Sequence, residues 1–171
     1  MRSEWIPKGD FEMILAALTP ENRLACEVSL ATGLRINDVL ALTPEKVRKQ
    51  RFSVREEKTG KVRPVRLPIE LVDRCLACGG QHYIFEHRLN GRQHRTRQAV
   101  WKDLKKTADR FGVKRNITPH SARKEYAVEE FNRCGGNLKR VQQLLCHSNE
   151  AVTAIYAMAN IMNKRRVFKR V

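Results

Sequence analysis

The feature that most constrains the fold of this chain is a Thr-Pro pair, which occurs three times in 171 residues. Threonine is a good N-cap, and proline fits the first position of a helix because that position needs no backbone donor. Thr19-Pro20 and Thr118-Pro119 therefore predict the starts of two helices, and Thr43-Pro44 predicts another helix start or a turn. The spread of these pairs along the chain favours a mainly helical fold.

Apolar residues recur at helical spacing through much of the chain. Phe11, Ile14, Leu15 and Leu18 stand at i, i+3, i+4 and i+7, which predicts an amphipathic helix over residues 10–18. Further helices are predicted over residues 68–77, 100–111, 119–133, 137–146 and 149–159. The apolar stripe of the 100–111 helix is predicted to comprise Val100, Trp101, Leu104, Ala108 and Phe111.

Residues 47–67 change to a strand pattern. Apolar and polar residues roughly alternate on both sides of Thr59-Gly60, which predicts a hairpin with a two-residue turn. Pro64 lacks a backbone donor, so the second strand is expected at a sheet edge. Residues 83–86 read as a third short strand and residues 87–95 as a polar surface loop. The sequence therefore predicts an α+β, mainly α, domain with a small three-stranded antiparallel sheet.

Basic residues greatly outnumber acidic ones, with 34 Lys and Arg against 18 Asp and Glu and a formal net charge of +16. Such an excess favours a polyanion as partner, most simply nucleic acid. A membrane surface fits less well because the sequence has no long apolar run and no lipidation motif. The five cysteines have spacings that give no disulfide framework, which favours a reducing, cytoplasmic setting.

Two arginines stand where a phosphate could be bound. His120 and Arg123 are three residues apart at a predicted helix start, so they share a face at the helix end that favours anions. Arg35 lies among apolar residues, and Asp38 three residues later could hold its guanidinium. Non-functional interpretations stay open: a solvated basic helix face for His120 and Arg123, and a structural ion pair for Arg35 and Asp38.

A lysine and a tyrosine could complete such a site. Lys58 lies at the predicted hairpin turn, where a lysine could protonate a leaving oxygen, although an ordinary solvated lysine has the same sequence signature. Tyr156 stands in an apolar helical pattern, which fits a core tyrosine or one that presents its hydroxyl at a cleft. Tyr126, within a predicted helix, and Tyr83, at the start of a predicted strand, are its competitors as a nucleophile.

A different constellation, in the middle of the chain, has four side chains that could bind zinc: Cys75, Cys78, His82 and His87. Two cysteines separated by two residues form half of a structural zinc site. The second half is poorly separated from the first, and a strand over residues 83–86 would pull the histidines apart. We therefore predict no metal here; zinc that EDTA removes with loss of fold would overturn this.

The motifs together resemble the tyrosine recombinases, the phage-integrase family. Ala31–Leu42 resembles the first conserved box of that family, and Lys58–Lys61 resembles its lysine-bearing hairpin. Pro119–Arg123 resembles the His-x-x-Arg box, and Leu145–Ser148 followed by Tyr156 resembles the last box. These motifs stand in family order at family-like separations, and the resemblance runs from about residue 11 to residue 159.

The resemblance implies a covalent mechanism of DNA cleavage. Tyr156 would attack a DNA phosphodiester and form a 3′-phosphotyrosyl intermediate, which conserves the bond energy for rejoining. Arg35 and Arg123 would clamp the non-bridging oxygens of the scissile phosphate, and His147 would donate a further hydrogen bond. This assignment agrees with the chemistry, because charge that develops on phosphoryl oxygens needs fixed cations.

The remaining implied roles concern protons and support. Lys58 would be the general acid for the leaving 5′ oxygen, and His120 would assist proton transfer at the tyrosine. Asp38 would support Arg35. Tyrosine has a pKa of about 10, so its hydroxyl needs help to lose a proton. The resemblance implies no cofactor, no ATP and no metal, and the sequence shows no acidic cluster at metal-ligand spacing.

Two departures from the family pattern matter. The family usually has glycine before the histidine of its last box, where this chain has Cys146, and a side chain there could displace His147. Family members also carry a second helical domain. We expect residues 1–171 to be a single catalytic domain, with its core at 10–159, a basic tail at 160–171 and no N-terminal core-binding domain. Weak, strongly salt-dependent DNA binding is expected from it.

The resemblance therefore implies site-specific recombination of double-stranded DNA, with no membrane partner. The active form would be a homotetramer on two duplexes, whereas the isolated domain could be a monomer. It also implies a cytoplasmic, nucleoid-associated protein of prokaryotic, phage or mobile-element origin. Two alternatives stay open: a type IB topoisomerase, which shares the same catalytic set, and a DNA-binding protein without catalysis.

Overall fold

The computed structural model describes residues 3–145, which are mainly helical with small antiparallel sheets, and this confirms the predicted fold class. The predicted helix over residues 149–159, the tail, His147 and Tyr156 lie outside the described residues. In the described part, no helix combines the length and the apolar character that a membrane span requires.

Four described helices precede the hairpin: α1 (Lys8–Ala16), α2 (Pro20–Thr32), α3 (Ile36–Leu40) and α4 (Pro44–Arg48). The Thr43 hydroxyl accepts a hydrogen bond from the backbone N of Lys46 and so caps α4. Thr19 does not cap α2 in this way. Its backbone N and its hydroxyl donate to the carboxylate of Asp103 at 3.0 and 2.9 Å, which ties the start of α2 to a later helix.

The predicted hairpin is present, but its connection is longer than two residues. Strand β1 (Arg51–Arg55) pairs antiparallel with β2 (Val62–Arg66), and Phe52 lies opposite Val65. Residues 56–61 form the loop between them. Gly60 takes the left-handed conformation at φ 65°, and its backbone N donates to the carbonyl of Glu56 at 2.8 Å. The loop is therefore closed by its own backbone bonds.

The predicted third strand belongs to a separate sheet. Strand β3 (Glu86–His87) pairs antiparallel with β4 (Asn90–His94), which occupies most of the predicted surface loop. The described residues thus form two two-stranded sheets rather than one three-stranded sheet. Strand β4 has no buried side chain, so it lacks the apolar alternation that makes a strand visible in a sequence.

The remaining described helices are α5 (Ile69–Cys78), α6 (Arg97–Arg110), α7 (Pro119–Arg133) and α8 (Leu138–Leu144). Helix α7 starts with the predicted cap: the Thr118 hydroxyl accepts from the backbone of the first turn, and Ser121 completes a capping box. Helices α2, α6 and α7 pack against one another around the core. Within the predicted α6 stripe, Val100, Leu104 and Ala108 are buried, whereas Trp101 and Phe111 are 42% and 46% exposed.

Candidate active site

Four of the six predicted catalytic residues line one cleft of about 650 Å³: Arg35, Lys58, His120 and Arg123. Asp38 lines the same cleft. These residues are separated by up to 88 positions in the sequence, and the packing of α2 against α7 brings the two arginines to the same side of the core. The other two predicted catalytic residues, His147 and Tyr156, lie outside the described part of the chain.

Local structure explains how each side chain reaches the cleft. Arg35 directly precedes α3 and has extended backbone, so its side chain leaves the end of the helix. His120 and Arg123 lie in the first turns of α7, and Lys58 lies exposed in the loop of residues 56–61. These side chains thus reach the cleft from the N-termini of α3 and α7 and from the hairpin loop.

Arg123 is one of the most deeply buried large side chains, at 1% exposed. Its guanidinium donates to the carbonyl oxygens of Gly33 and Leu145, both at 2.5 Å. Its Nη1 also lies 3.5 Å from Glu56 Oε1. A buried cation needs such acceptors to offset its lost hydration, and they fix the direction of the guanidinium.

Arg35 forms an ion pair, but its partner differs from the predicted one. Its Nη1 donates to the carboxylate of Glu56, and Arg35 has no ion pair with Asp38 in the described residues. Asp38 Oδ1 instead accepts from the backbone N of Glu57 at 2.9 Å. Asp38 lies in α3, and its carboxylate contacts the backbone of the hairpin loop rather than the guanidinium of Arg35. Asp38 therefore anchors the loop that carries Lys58.

Glu56 is not among the residues that the sequence predicted for the site. Its carboxylate is fully buried and lies among three arginines: Arg35, Arg63 and Arg123. An acidic pair, Glu56-Glu57, at a predicted turn looks like ordinary solvated charge. One feature of the sequence could have indicated its burial. Glu56 stands two residues after Val54, and side chains two residues apart in a strand point to the same face.

His120 is held neutral by its surroundings. His120 is an exposed residue that lines the cleft, and desolvation, followed by the positive charges of Arg123 and Arg35, lowers its pKa to about 4. A neutral imidazole at pH 7 can accept a proton, whereas an imidazolium cannot. His120 is therefore in the protonation state that a general base requires.

Helix α6 supplies a wall of the cleft that the sequence did not reveal. Arg97, Gln98 and Trp101 line it. The position of Trp101 fits the apolar stripe, and spacing alone does not separate a core ring from one at a cleft rim. The wall adds a cation, an amide and an aromatic face to the site.

The competing tyrosines, Tyr83 and Tyr126, do not line this cleft, and the candidate zinc residues are not grouped as a metal site in residues 3–145. Tyr126 is 9% exposed and packs against Gly33, and burial raises its pKa. Among residues 3–145, no three His, Cys, Asp or Glu side chains are grouped so as to hold a metal ion. Burial, followed by the neighbouring Cys78, raises the pKa of Cys75 to about 12, so this thiol is protonated at neutral pH.

The cleft has the chemistry of a phosphate site. It combines fixed guanidinium groups, an exposed lysine on a loop and a neutral imidazole. Guanidinium groups bind phosphate oxygens in two parallel hydrogen bonds, and their charge is already positioned before a ligand arrives.

The family model for the phage integrase family matches residues 4–162. The tyrosine recombinase XerC of Roseiflexus sp. (strain RS-1) is 34% identical over 166 residues, which cover 87% of this chain and 52% of that protein. The tyrosine recombinase XerA of Thermococcus onnurineus is 27% identical, over 94% of this chain and 60% of that protein. The chain thus spans about half of the length of these curated relatives.

Solved structures have the same fold. A lambda integrase dimer bound to a COC′ core site gives a TM-score of 0.76 at 19% identity, over 92% of this chain and 48% of that chain. The catalytic domain of bacteriophage HP1 integrase gives 0.68 at 22% identity, over 92% of this chain and 89% of that one. With a family match over residues 4–162, an XerC relative at 34% identity and this shared fold, the chain belongs to the phage integrase family.

Proposed function

We propose that this chain is the catalytic domain of a site-specific tyrosine recombinase, which cleaves and rejoins strands of double-stranded DNA. The observation that carries the proposal is the meeting of Arg35, Lys58, His120 and Arg123 in one cleft. Several relatives of this chain are named tyrosine recombinases, and a lambda integrase structure holds a core-site DNA. The family match supports the same reaction class here.

In the proposed reaction the hydroxyl oxygen of Tyr156 attacks the scissile phosphorus, and the bond from phosphorus to the 5′ oxygen breaks. His120, which is neutral, accepts the proton of the tyrosine, and Lys58 donates a proton to the leaving 5′ oxygen. The product is a 3′-phosphotyrosyl bond. Attack by a 5′ hydroxyl reverses each step and rejoins the strand without ATP.

The arginines stabilise the charge of the transition state. Arg35 and Arg123 are directed by buried acceptors, so little reorganisation is needed when a phosphate enters. His147 would add a hydrogen bond to a non-bridging oxygen. Asp38, through the backbone of Glu57, would hold the Lys58 loop near the leaving oxygen.

We further propose that the working assembly is a homotetramer on two DNA duplexes. The reaction exchanges strands between duplexes, so each of four strands needs one nucleophile. The target sequence depends on base contacts and DNA shape, which a catalytic cleft does not encode.

The test is trapping of the covalent intermediate. The chain is incubated at low salt with a pool of nicked duplexes of random sequence, in which cleavage releases a short fragment and prevents rejoining. A denaturing gel should show a protein–DNA adduct, and sequencing of its DNA should show an enriched site.

Matched variants assign the nucleophile. Tyr156→Phe should abolish the adduct, whereas Tyr83→Phe, the same change at a tyrosine outside the cleft, should leave it. An adduct that survives Tyr156→Phe would refute the assignment. DNA binding without any adduct would favour a catalytically silent DNA-binding protein, and relaxation of plasmids without partner sites would favour a type IB topoisomerase.

A further inference from the structure

Glu56 lies at the centre of the arginine cluster beneath the cleft. It directly follows β1, and its side chain is 0% exposed. The three arginines that surround it come from different elements: Arg35 from the start of α3, Arg63 from β2 and Arg123 from α7. One carboxylate thus contacts both proposed phosphate-binding arginines.

The two carboxylate oxygens have different partners. Oε2 accepts hydrogen bonds from Arg35 Nη1 and, at 2.9 Å, from the hydroxyl of Thr59. Oε1 lies 3.5 Å from Arg123 Nη1 and 3.9 Å from Arg63 Nη1 and accepts no hydrogen bond from residues 3–145. Thr59 immediately follows Lys58, so a single oxygen joins Arg35 to the loop of the proposed general acid.

The carboxylate is ionised at neutral pH. Burial acts to raise the pKa of Glu56, but hydrogen bonds from Arg35 and Thr59 and the charges of Arg35 and Arg123 outweigh it and lower the pKa overall. A buried negative charge among guanidinium groups offsets their mutual repulsion and leaves the cluster with a surplus of positive charge for a phosphate.

Backbone carbonyl oxygens also hold two of the three arginines. Arg63 donates to the carbonyl of Thr32, and Arg123 donates to the carbonyl of the next residue, Gly33. Arg35 is only two residues further along the chain. Arg63 and Arg123 therefore have fixed acceptors besides Glu56, whereas the ion pair of Arg35 in the described residues is with Glu56 alone. Loss of Glu56 should disturb Arg35 most.

We infer that Glu56 is a positioning residue for the recombination reaction. It directs the guanidinium of Arg35 into the cleft and, through Thr59, holds the loop that carries Lys58. This inference rests on the proposed function, because it assigns Glu56 a task in the cleavage step. Glu56 does not touch DNA in this account and acts only through its neighbours.

Two substitutions separate its contacts. Glu56→Gln keeps the size of the side chain but removes the charge that pairs with Arg35. Thr59→Val removes the hydrogen bond to the Lys58 loop and leaves the carboxylate in place. Glu70→Gln, the same chemical change at an exposed residue of α5, is the control. A urea titration of each variant establishes that the compared proteins are folded.

Single-turnover cleavage is measured on two forms of the trapped-site DNA. One has the normal 5′ oxygen, and the other has a bridging sulfur, which leaves as a thiolate and needs no proton donor. On the oxygen substrate we expect the rate to fall by about 100-fold for Glu56→Gln and about 10-fold for Thr59→Val, because a small misplacement of a catalytic group slows a reaction by such factors. Affinity for DNA should change by less than about 3-fold in both, because most phosphate contacts persist.

The sulfur substrate distinguishes positioning from general loss of structure. It should restore Thr59→Val to nearly the wild-type rate, since only the proton donor is displaced. Glu56→Gln should be restored only in part, because Arg35 remains misdirected. Equal losses on both substrates, or a Glu56→Gln rate equal to that of Glu70→Gln, would overturn the inference. If Glu56→Gln does not fold, the pattern for Thr59→Val decides.

A second measurement does not depend on cleavage. In 15N NMR spectra, the Nη protons of Arg35 should be resolved in the wild-type chain and broadened by rotation in Glu56→Gln. If the wild-type chain forms no adduct, the proposed function fails. The Arg35 signals then still decide whether Glu56 positions this side chain: broadening supports it, and unchanged signals overturn it.

Discussion

Gly33 shows how one residue controls the approach of two helices at the cleft. It ends α2 in the left-handed conformation, at φ 66°. A Cβ at this position would overlap the ring of Tyr126 at Cδ1 and Cε1. The carbonyl of Gly33 also accepts from Arg123, so the close approach of Tyr126 and the direction of Arg123 depend on the same residue.

We predict that Gly33→Ala destabilises the chain more than Gly112→Ala does. Gly112 has nearly the same backbone angle, φ 64°, but a Cβ there would have no described atom within 4 Å beyond its chain neighbours. Gly112→Ala should cost about 1 kcal/mol from backbone strain, and Gly33→Ala should cost about 2–3 kcal/mol more from overpacking. The free energy of unfolding in urea measures both; equal losses would contradict the close packing.

His120 gives a prediction about protonation. Because its pKa in the folded chain is about 4, below the ordinary value of about 6.5, protonation favours the unfolded chain. The stability that neutral His120 preserves is present above pH 6.5 and is lost as the pH falls toward 4. The His120 ring signal should titrate with a midpoint near 4 in NMR spectra. A midpoint near 6.5 would contradict the desolvated, positively charged surroundings.

At the scale of elements, the hairpin loop is the part of the cleft that can move and that must be held. The structure ties residues 56–61 to the body of the domain in two places: Asp38 of α3 accepts from the backbone N of Glu57, and Glu56, which also accepts from Thr59, pairs with Arg35 at the start of α3. Neither tie is visible as a sequence motif. Lys58 itself is exposed, so burial does not fix its position; the contacts of Glu57 and Thr59 on either side of it do.

We predict that Asp38→Ala loosens this loop. The amide of Glu57 loses its acceptor, and its hydrogen exchange should become about 10-fold faster, which corresponds to about 1.4 kcal/mol. Glu45→Ala, which removes an exposed carboxylate on α4, should leave the exchange of Glu57 unchanged. Unchanged exchange in Asp38→Ala would show that the loop does not depend on this bond.

Elements were predictable where the sequence carries two independent signals. Thr118-Pro119 combines a cap with a favoured first helical residue, and α7 starts there. The sheet of β3 and β4 was missed because β4 has no buried side chain and hence no alternation. The partner of Arg35 was predicted as Asp38 because only near neighbours in sequence could be compared, whereas Glu56 is 21 residues away.

At the scale of the whole molecule, the net charge of +16 is only partly concentrated at the cleft. The cleft is lined by Arg35, Lys58 and Arg123 and also by Arg97 of α6. A DNA backbone that crosses the cleft would therefore meet several cations, and binding would release counterions from each contacted phosphate.

We predict a steep salt dependence of DNA binding. For about six contacted phosphates, log Kd should change with log salt with a slope near 5. Arg97→Gln should reduce the slope by about 1, because one contact is lost. Arg110→Gln, at the other end of α6 and outside the cleft, should leave it unchanged. Equal slopes for the two variants would place the DNA elsewhere.

The most direct test of the central claim is a crystal structure of the chain with a nicked DNA duplex that contains its site. We predict one phosphate within about 3 Å of the guanidinium groups of Arg35 and Arg123, with Lys58 beside the 5′ oxygen of the same nucleotide. The contradictory result is a DNA backbone seated in the separate groove that Arg51, Arg66 and Tyr126 line, with no phosphate in the cleft.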